Sequence, residues 1–194
     1  MGDMLDIISS TLIAGMLLLS VLKMNSTLSS TDSDTNVEVI TQENATTIAN
    51  TVAYDFYKIG YKASPGIIFA DTSAITFLAQ MDNDGIVDTI RYWLSSTVST
   101  PLVNPNWRTL YRIKNSEPIR GASLGVTSFN LDYYDSTGSL ISIPPGGTGD
   151  QSILSKIKSI QVTILFQSAT LVDSSYAKTY WEVFITPKNL QTLM

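Results

Sequence analysis

The chain has 194 residues, room for one ordinary domain beside an N-terminal segment, with 44% hydrophobic residues and a net charge of −5. Its 12 Lys and Arg are outnumbered by 17 Asp and Glu, which argues against a primary role in binding nucleic acid. With no Cys and no His, it has no disulfide, thiolate nucleophile or zinc–thiolate site, and lacks the commonest general base.

Met4–Leu22 is almost wholly apolar, and Ile7–Leu22 (IISSTLIAGMLLLSVL) carries no charge. As a helix this run of 16 residues reaches ~24 Å, against ~30 Å for a bilayer's hydrocarbon core. A secretory signal places Lys or Arg before the apolar stretch and a small-residue cleavage site after it. Here Asp3 and Asp6 precede the run, and Lys23-Met24-Asn25 follow it. The segment is therefore expected to be retained, as a single membrane span or as an element that packs against copies of itself. Ser9, Ser10, Ala14 and Gly15 would allow close helix–helix approach.

Asn25–Asn36 (NSTLSSTDSDTN) is polar and rich in residues that compete with helical hydrogen bonding. It is expected to be a linker or a helix break, with a solvated stretch of helix as the other option. Thr35 and Glu38 stand at capping-box spacing, which predicts a restart there. From Val37 to Gly60, Ala45, Ile48, Ala49, Val52, Ala53, Phe56 and Ile59 recur at steps of three and four, giving one apolar helix face. Gly60 supplies a stop, and Pro65-Gly66 a turn. The expected divisions are thus 1–24, an apolar membrane or filament-core helix; 25–36, a polar linker; and 37–194, a globular domain.

From Ile67 onward the pattern changes to period two. Strands are predicted over Ala74–Ala79, Val87–Leu94, Thr109–Lys114, Val126–Tyr134, Ile157–Gln167 and Lys178–Thr186. Loops are marked by Asn104-Pro105-Asn106, Ser136-Thr137-Gly138 and Pro144–Gly149. Ile160, Val162, Ile164 and Phe166 share one face, and in the last strand both faces have the composition of covered ones. The fold class is α+β: a long N-terminal helical element followed by an antiparallel, meander-rich sheet.

The chemical candidate is Asp82-Asn83-Asp84-Gly85-Ile86-Val87-Asp88, whose alternating acids resemble a calcium loop. Placing Gly85 at the loop glycine puts Gln80 at the first ligand position and Arg91 where a bidentate Glu belongs, so EF-hand spacing is not met. Asn, Asp and Gly together are also strong turn chemistry for a hairpin, the preferred reading. Calcium, through Asp82, Asp84 and Asp88, is the one cofactor the sequence suggests; no catalytic residue stands out. The aromatics Tyr92, Trp93, Trp107, Tyr133, Tyr134, Tyr180 and Trp181 read as sheet core and cross-strand pairs before they read as a ligand groove.

Several short stretches stand in a telling order. They are Tyr54-Asp55-Phe56-Tyr57-Lys58-Ile59-Gly60-Tyr61, Ser73–Gly85, Thr89–Leu94, Leu110-Tyr111-Arg112, Gly125–Asp135 and Ile185-Thr186-Pro187-Lys188-Asn189-Leu190. From Val37 onward this order resembles type IV pilin-like proteins, in particular the J-type minor pseudopilins of type II secretion and the W-type minor pilins. The resemblance implies a structural subunit, not an enzyme. Its apolar helix would serve first as an inner-membrane anchor, then as the packed core of a filament of like subunits at the surface of a bacterial cell. The departures lie at the N-terminus. Family precursors carry a basic leader ending in Gly and a Glu at the fifth mature position, whereas cleavage after Gly2 would make Asp6 the fourth. Asp6 would then take the Glu's assembly role of pairing with a neighbour's amine, or else simply complement the helix dipole. Lys23, beyond the run, lends no support to a cytoplasmic N-terminus. The alternative is a membrane-anchored envelope module that binds calcium or glycan; an envelope enzyme working through carboxylates lacks an acid pair.

Overall fold

A computed structural model describes residues 2–99, 103–172 and 174–191. Its longest element is helix α1 (Gly2–Tyr57), and two compact units meet along it between Val39 and Ile40. Among the described residues nine strands and two four-residue helices follow, so the fold is α+β with an N-terminal apolar helix.

The first unit is helical throughout residues 2–39. This corrects the expected break at 25–36. Ser and Thr unsettle helices by offering the backbone other partners, but here their hydroxyls bond back within the helix. Thr27 donates to Lys23 O at 3.0 Å, Thr31 to Thr27 O at 2.9 Å and Thr35 to Thr31 O at 2.9 Å. Thr35 is therefore mid-helix and does not cap, and the helix runs unbroken through residues 24 and 36.

In the second unit the predicted apolar face of α1 is the buried one. Ala45, Ile48, Ala49, Val52, Phe56 and Ile59 are all at most 6% exposed, and Ala53 packs at the margin. The helix gives way to turns after Tyr57, where Gly60 takes φ 75°. That conformation costs glycine little and other residues more.

Two antiparallel sheets supply the rest of the core. The first is a five-stranded meander of β1 (Ile67–Ala70), β2 (Ala74–Ala79), β3 (Asp88–Val98), β4 (Arg108–Lys114) and β5 (Arg120–Ala122), in that order. The second has the order β7-β6-β8-β9 and contains β6 (Val126–Tyr134), β7 (Leu140–Ile141), β8 (Ser159–Val172) and β9 (Ser175–Ile185). Helix α2 (Gln151–Leu154), capped by Asp150, precedes β8, and α3 (Lys188–Gln191) follows β9. The sheets are stitched to one another by Leu131 N–H to Thr72 O at 2.8 Å and by Trp107 Nε1–H to Gln167 O at 2.9 Å.

One apolar cluster runs from α1 through both sheets, and Phe56 sits in it edge-on to Phe77 and Tyr92, with ring centroids 5.8 and 5.7 Å away. Ile160, Val162, Ile164 and Phe166 of β8 are fully buried, as their alternation requires. β9 departs from expectation: Trp181 and Val183 pack on the core, but Tyr180 and Phe184 are more than half exposed. As an edge strand, β9 has one face on the core and one on solvent.

Candidate functional site

The first candidate is the apolar helix. Among its described side chains, Met4, Ile7, Ile8, Leu12, Ile13, Met16, Leu17, Leu18, Leu19, Val21 and Leu22 are 55–72% exposed. These large apolar groups occupy every side of the helix, and all of them are exposed. A helix apolar all round belongs in lipid or inside an assembly. It is long and apolar enough to cross a membrane. The Ser10 and Thr11 hydroxyls bond back to Ile7 O at 3.0 and 2.9 Å, which lowers their polar cost in an apolar environment. Asp6 is exposed in the first turns of this helix.

The second candidate is the acidic loop, which joins β2 to β3 as a hairpin with Ala79 opposite Asp88. Asn83 and Gly85 take φ 64° and 92°, the left-handed values that suit a turn. Asp84 Oδ1 accepts the Ile86 N–H at 2.8 Å and so folds onto its own backbone. Asp82 and the buried Asp88 instead share one cation: Lys114 Nζ lies 2.8 Å from Asp82 Oδ2 and 3.4 Å from Asp88 Oδ1. Asp88 also accepts from Asn115 Nδ2 at 2.6 Å and from Met81 N–H at 3.1 Å. The hydrogen bond from Lys114 holds the Asp82 carboxyl below its ordinary range, and the same bond raises Lys114. Among the described residues no three acids converge on one point. The ammonium of Lys114 bridges the Asp82 and Asp88 carboxylates.

The third candidate is one that sequence reasoning missed. Asp55, on α1, is 2% exposed and accepts two bonds on Oδ2, each 2.6 Å long. One comes from the Tyr92 hydroxyl on β3 and the other from Arg112 Nε on β4. Register explains the meeting: Tyr92 lies directly opposite Arg112 in the β3–β4 ladder, and both face the helix. Burial, reinforced by the charge of Asp55, pushes the Tyr92 phenol above its usual range. Burial works to lower Arg112, but the bond and charge of Asp55 outweigh it and raise the guanidinium overall. Separations of 37 and 57 residues hide this triad from any local motif.

Above the triad lies a cleft of about 210 Å³, walled by Ile48, Val52, Leu110, Ala122 and Leu124, with Arg112 and Arg120 at its edge. No protein-family model, curated protein or solved structure matches the chain. The site is therefore read from its geometry. None of the described residues lining the cleft is acidic, and Asp55 beneath it is already held by two donors. The cleft thus presents an apolar surface together with two arginine side chains.

The aromatic residues divide by position. Tyr92 and Tyr133 are buried in the core. Trp93 stacks on Tyr111 across the β3–β4 ladder with centroids 5.0 Å apart, and Arg91 lies 5.0 Å over the Trp93 ring. Tyr134 meets Phe184 at 5.3 Å on the outer face of the second sheet. Tyr180 and Trp181 border a second cleft beside Ala45 and Ala49.

Proposed function

We propose that this protein is a type IV pilin-like structural subunit, which assembles through its apolar helix into a pilus or type II secretion pseudopilus filament. One observation carries the reading. A single α-helix is apolar and exposed on every side near its N-terminus, while its C-terminal section buries one face in an antiparallel α+β core. An apolar surface of that extent has two stable environments, lipid before assembly and copies of the same helix after it. The subunit would thus wait in the inner membrane and end in a filament at the cell surface, with other pilins as partners and no reaction to catalyse. Asp6 is the candidate assembly residue, since a carboxylate drawn into such a core needs a cationic partner.

Electron microscopy of the purified full-length chain, in detergent and after detergent removal, tests the reading. Filaments, or incorporation into a pilus or secretion complex, are expected. A monomer that does neither would sink it.

A further inference from the structure

The cleft beside Ala45 and Ala49 differs in chemistry from the one above Asp55. Its volume is about 280 Å³, and it lies wholly in the globular unit, between α1 and β9. On α1, Gln42, Thr46 and Asn50 follow one another at steps of four, so they form one exposed line along the helix. Ala45 and Ala49, also four apart, are 4% and 2% exposed and line the cleft too. Alanine at both positions leaves open the space that a longer side chain would fill. On β9, Thr179 and Trp181 line the other side, and Tyr180, 67% exposed, completes it.

This lining carries hydrogen-bonding capacity that the fold does not use. Among the described residues, no protein group hydrogen-bonds to the side-chain amides of Gln42 and Asn50, to the Thr179 and Tyr180 hydroxyls or to Trp181 Nε1–H. By contrast, the Trp107 indole and the Asn104 amide are engaged by Gln167 O and Ser168 O, each at 2.9 Å. None of the described residues lining the cleft is Asp, Glu, Lys or Arg. Each amide offers an acceptor oxygen and two donor hydrogens, and the two aromatic rings add apolar surface. That combination selects among ligands. A phosphate or carboxylate would find no cation. A purely apolar ligand would strip water from the amides and leave them unpaired. A peptide added as a strand is read along several residues, and the cleft spans only three of β9. A sugar meets both demands, because its hydroxyls donate and accept around the edge while its C–H groups offer an apolar face to an aromatic ring.

We propose that this cleft is a binding site for a neutral glycan. Gln42 and Asn50 would bond to the sugar hydroxyls, and Tyr180 and Trp181 would pack against a ring face. The site uses only residues of the globular unit and needs no neighbouring subunit, so it is independent of the filament reading. On a surface filament such a site would hold polysaccharide.

The full-length chain is held in an amine-oxide detergent, which unlike a maltoside carries no sugar. It is titrated with short oligosaccharides of glucose, galactose, mannose and N-acetylglucosamine. Saturation-transfer NMR reports contact, and tryptophan fluorescence reports affinity. At least one of these neutral sugars is expected to bind saturably in the millimolar range. Gln42→Ala and Asn50→Ala together should weaken that binding by about tenfold. Tyr180→Ala should weaken it as well. All three positions are exposed, so the melting temperature should hold in each variant. Asn130→Ala, at an exposed position on β6, should leave binding unchanged. Absence of saturable binding across the panel at tens of millimolar overturns the site. Binding that the double variant retains in full also overturns it, because the sugar would then sit elsewhere. A short strand-forming peptide that binds while no sugar does would overturn it in favour of a peptide groove.

Discussion

Asp55 is the residue on which the globular unit turns. A carboxylate this buried is tolerable because Tyr92 and Arg112 each donate to it at 2.6 Å; with one partner removed, the others are left desolvated and uncompensated. Asp55→Ala is therefore expected to cost about 3–5 kcal/mol of stability, measured as the shift in urea midpoint. Two buried phenols set an alkaline limit. Burial raises both Tyr92 and Tyr133 above their ordinary range, whereas an unfolded tyrosine ionises near ~10. Below that pH both states hold the proton, and the contribution to stability is complete. Above it the unfolded chain loses protons that the folded chain keeps, so stability falls as pH rises. The urea midpoint should drop as pH rises past about 10, and Tyr92→Phe or Tyr133→Phe should flatten the drop. An unchanged slope in both variants would show that other groups set it. None of this could be read from the sequence, because the triad exists only once β3–β4 register and the turn of α1 are fixed together. The acidic loop shows the converse. Its turn chemistry was legible from Asp82 to Gly85, but the role of Asp88 was not, since Lys114 reaches it from a strand further along the sheet.

At the scale of elements, α1 performs two jobs with two patterns. In residues 45–56 the apolar positions repeat at three and four, and the structure buries them. Phe56 has no exposed surface and meets both Phe77 and Tyr92, so Phe56→Ala should cost about 3–5 kcal/mol of globular-unit stability. Leu18→Ala removes a group that is 62% exposed and should leave that stability unchanged. Thermal melts followed through the tryptophans, which all lie in the sheets or next to them, would separate the two. The helical face and the long strands were legible because period and burial agree: Ala74–Ala79 and Val126–Tyr134 fall where alternation puts them. Other elements were hidden for physical reasons. β5 has three residues and β7 two, too few to show a period, and their pairing partners alone define them. The polar stretch 25–36 looked like a break because propensity counts hydroxyls as competitors, whereas Thr27, Thr31 and Thr35 direct theirs to carbonyls one turn back.

For the whole molecule, the open contrast is between an apolar helix that only anchors and one that also packs against its own kind, and two substitutions in it separate these roles. Leu17→Arg places a charge near the middle of the uncharged run, at ~2.5–3.5 kcal/mol against the membrane, and should abolish both membrane retention and assembly. Gly15→Leu acts differently. A Cβ at Gly15 meets nothing within 4 Å inside the chain, so the larger side chain is free of internal clash. It also raises helix propensity by about 1 kcal/mol and makes the segment more apolar, so membrane retention should hold or improve. What it removes is the small surface that lets a second helix approach closely. A plain anchor would therefore tolerate Gly15→Leu in every assay. A filament-core helix would keep its membrane fraction and its melting temperature yet lose filament yield, counted by electron microscopy. That dissociation is the expected outcome, because the exposure of the apolar residues on all sides of the helix leaves room for neighbours at Gly15 as well as for lipid.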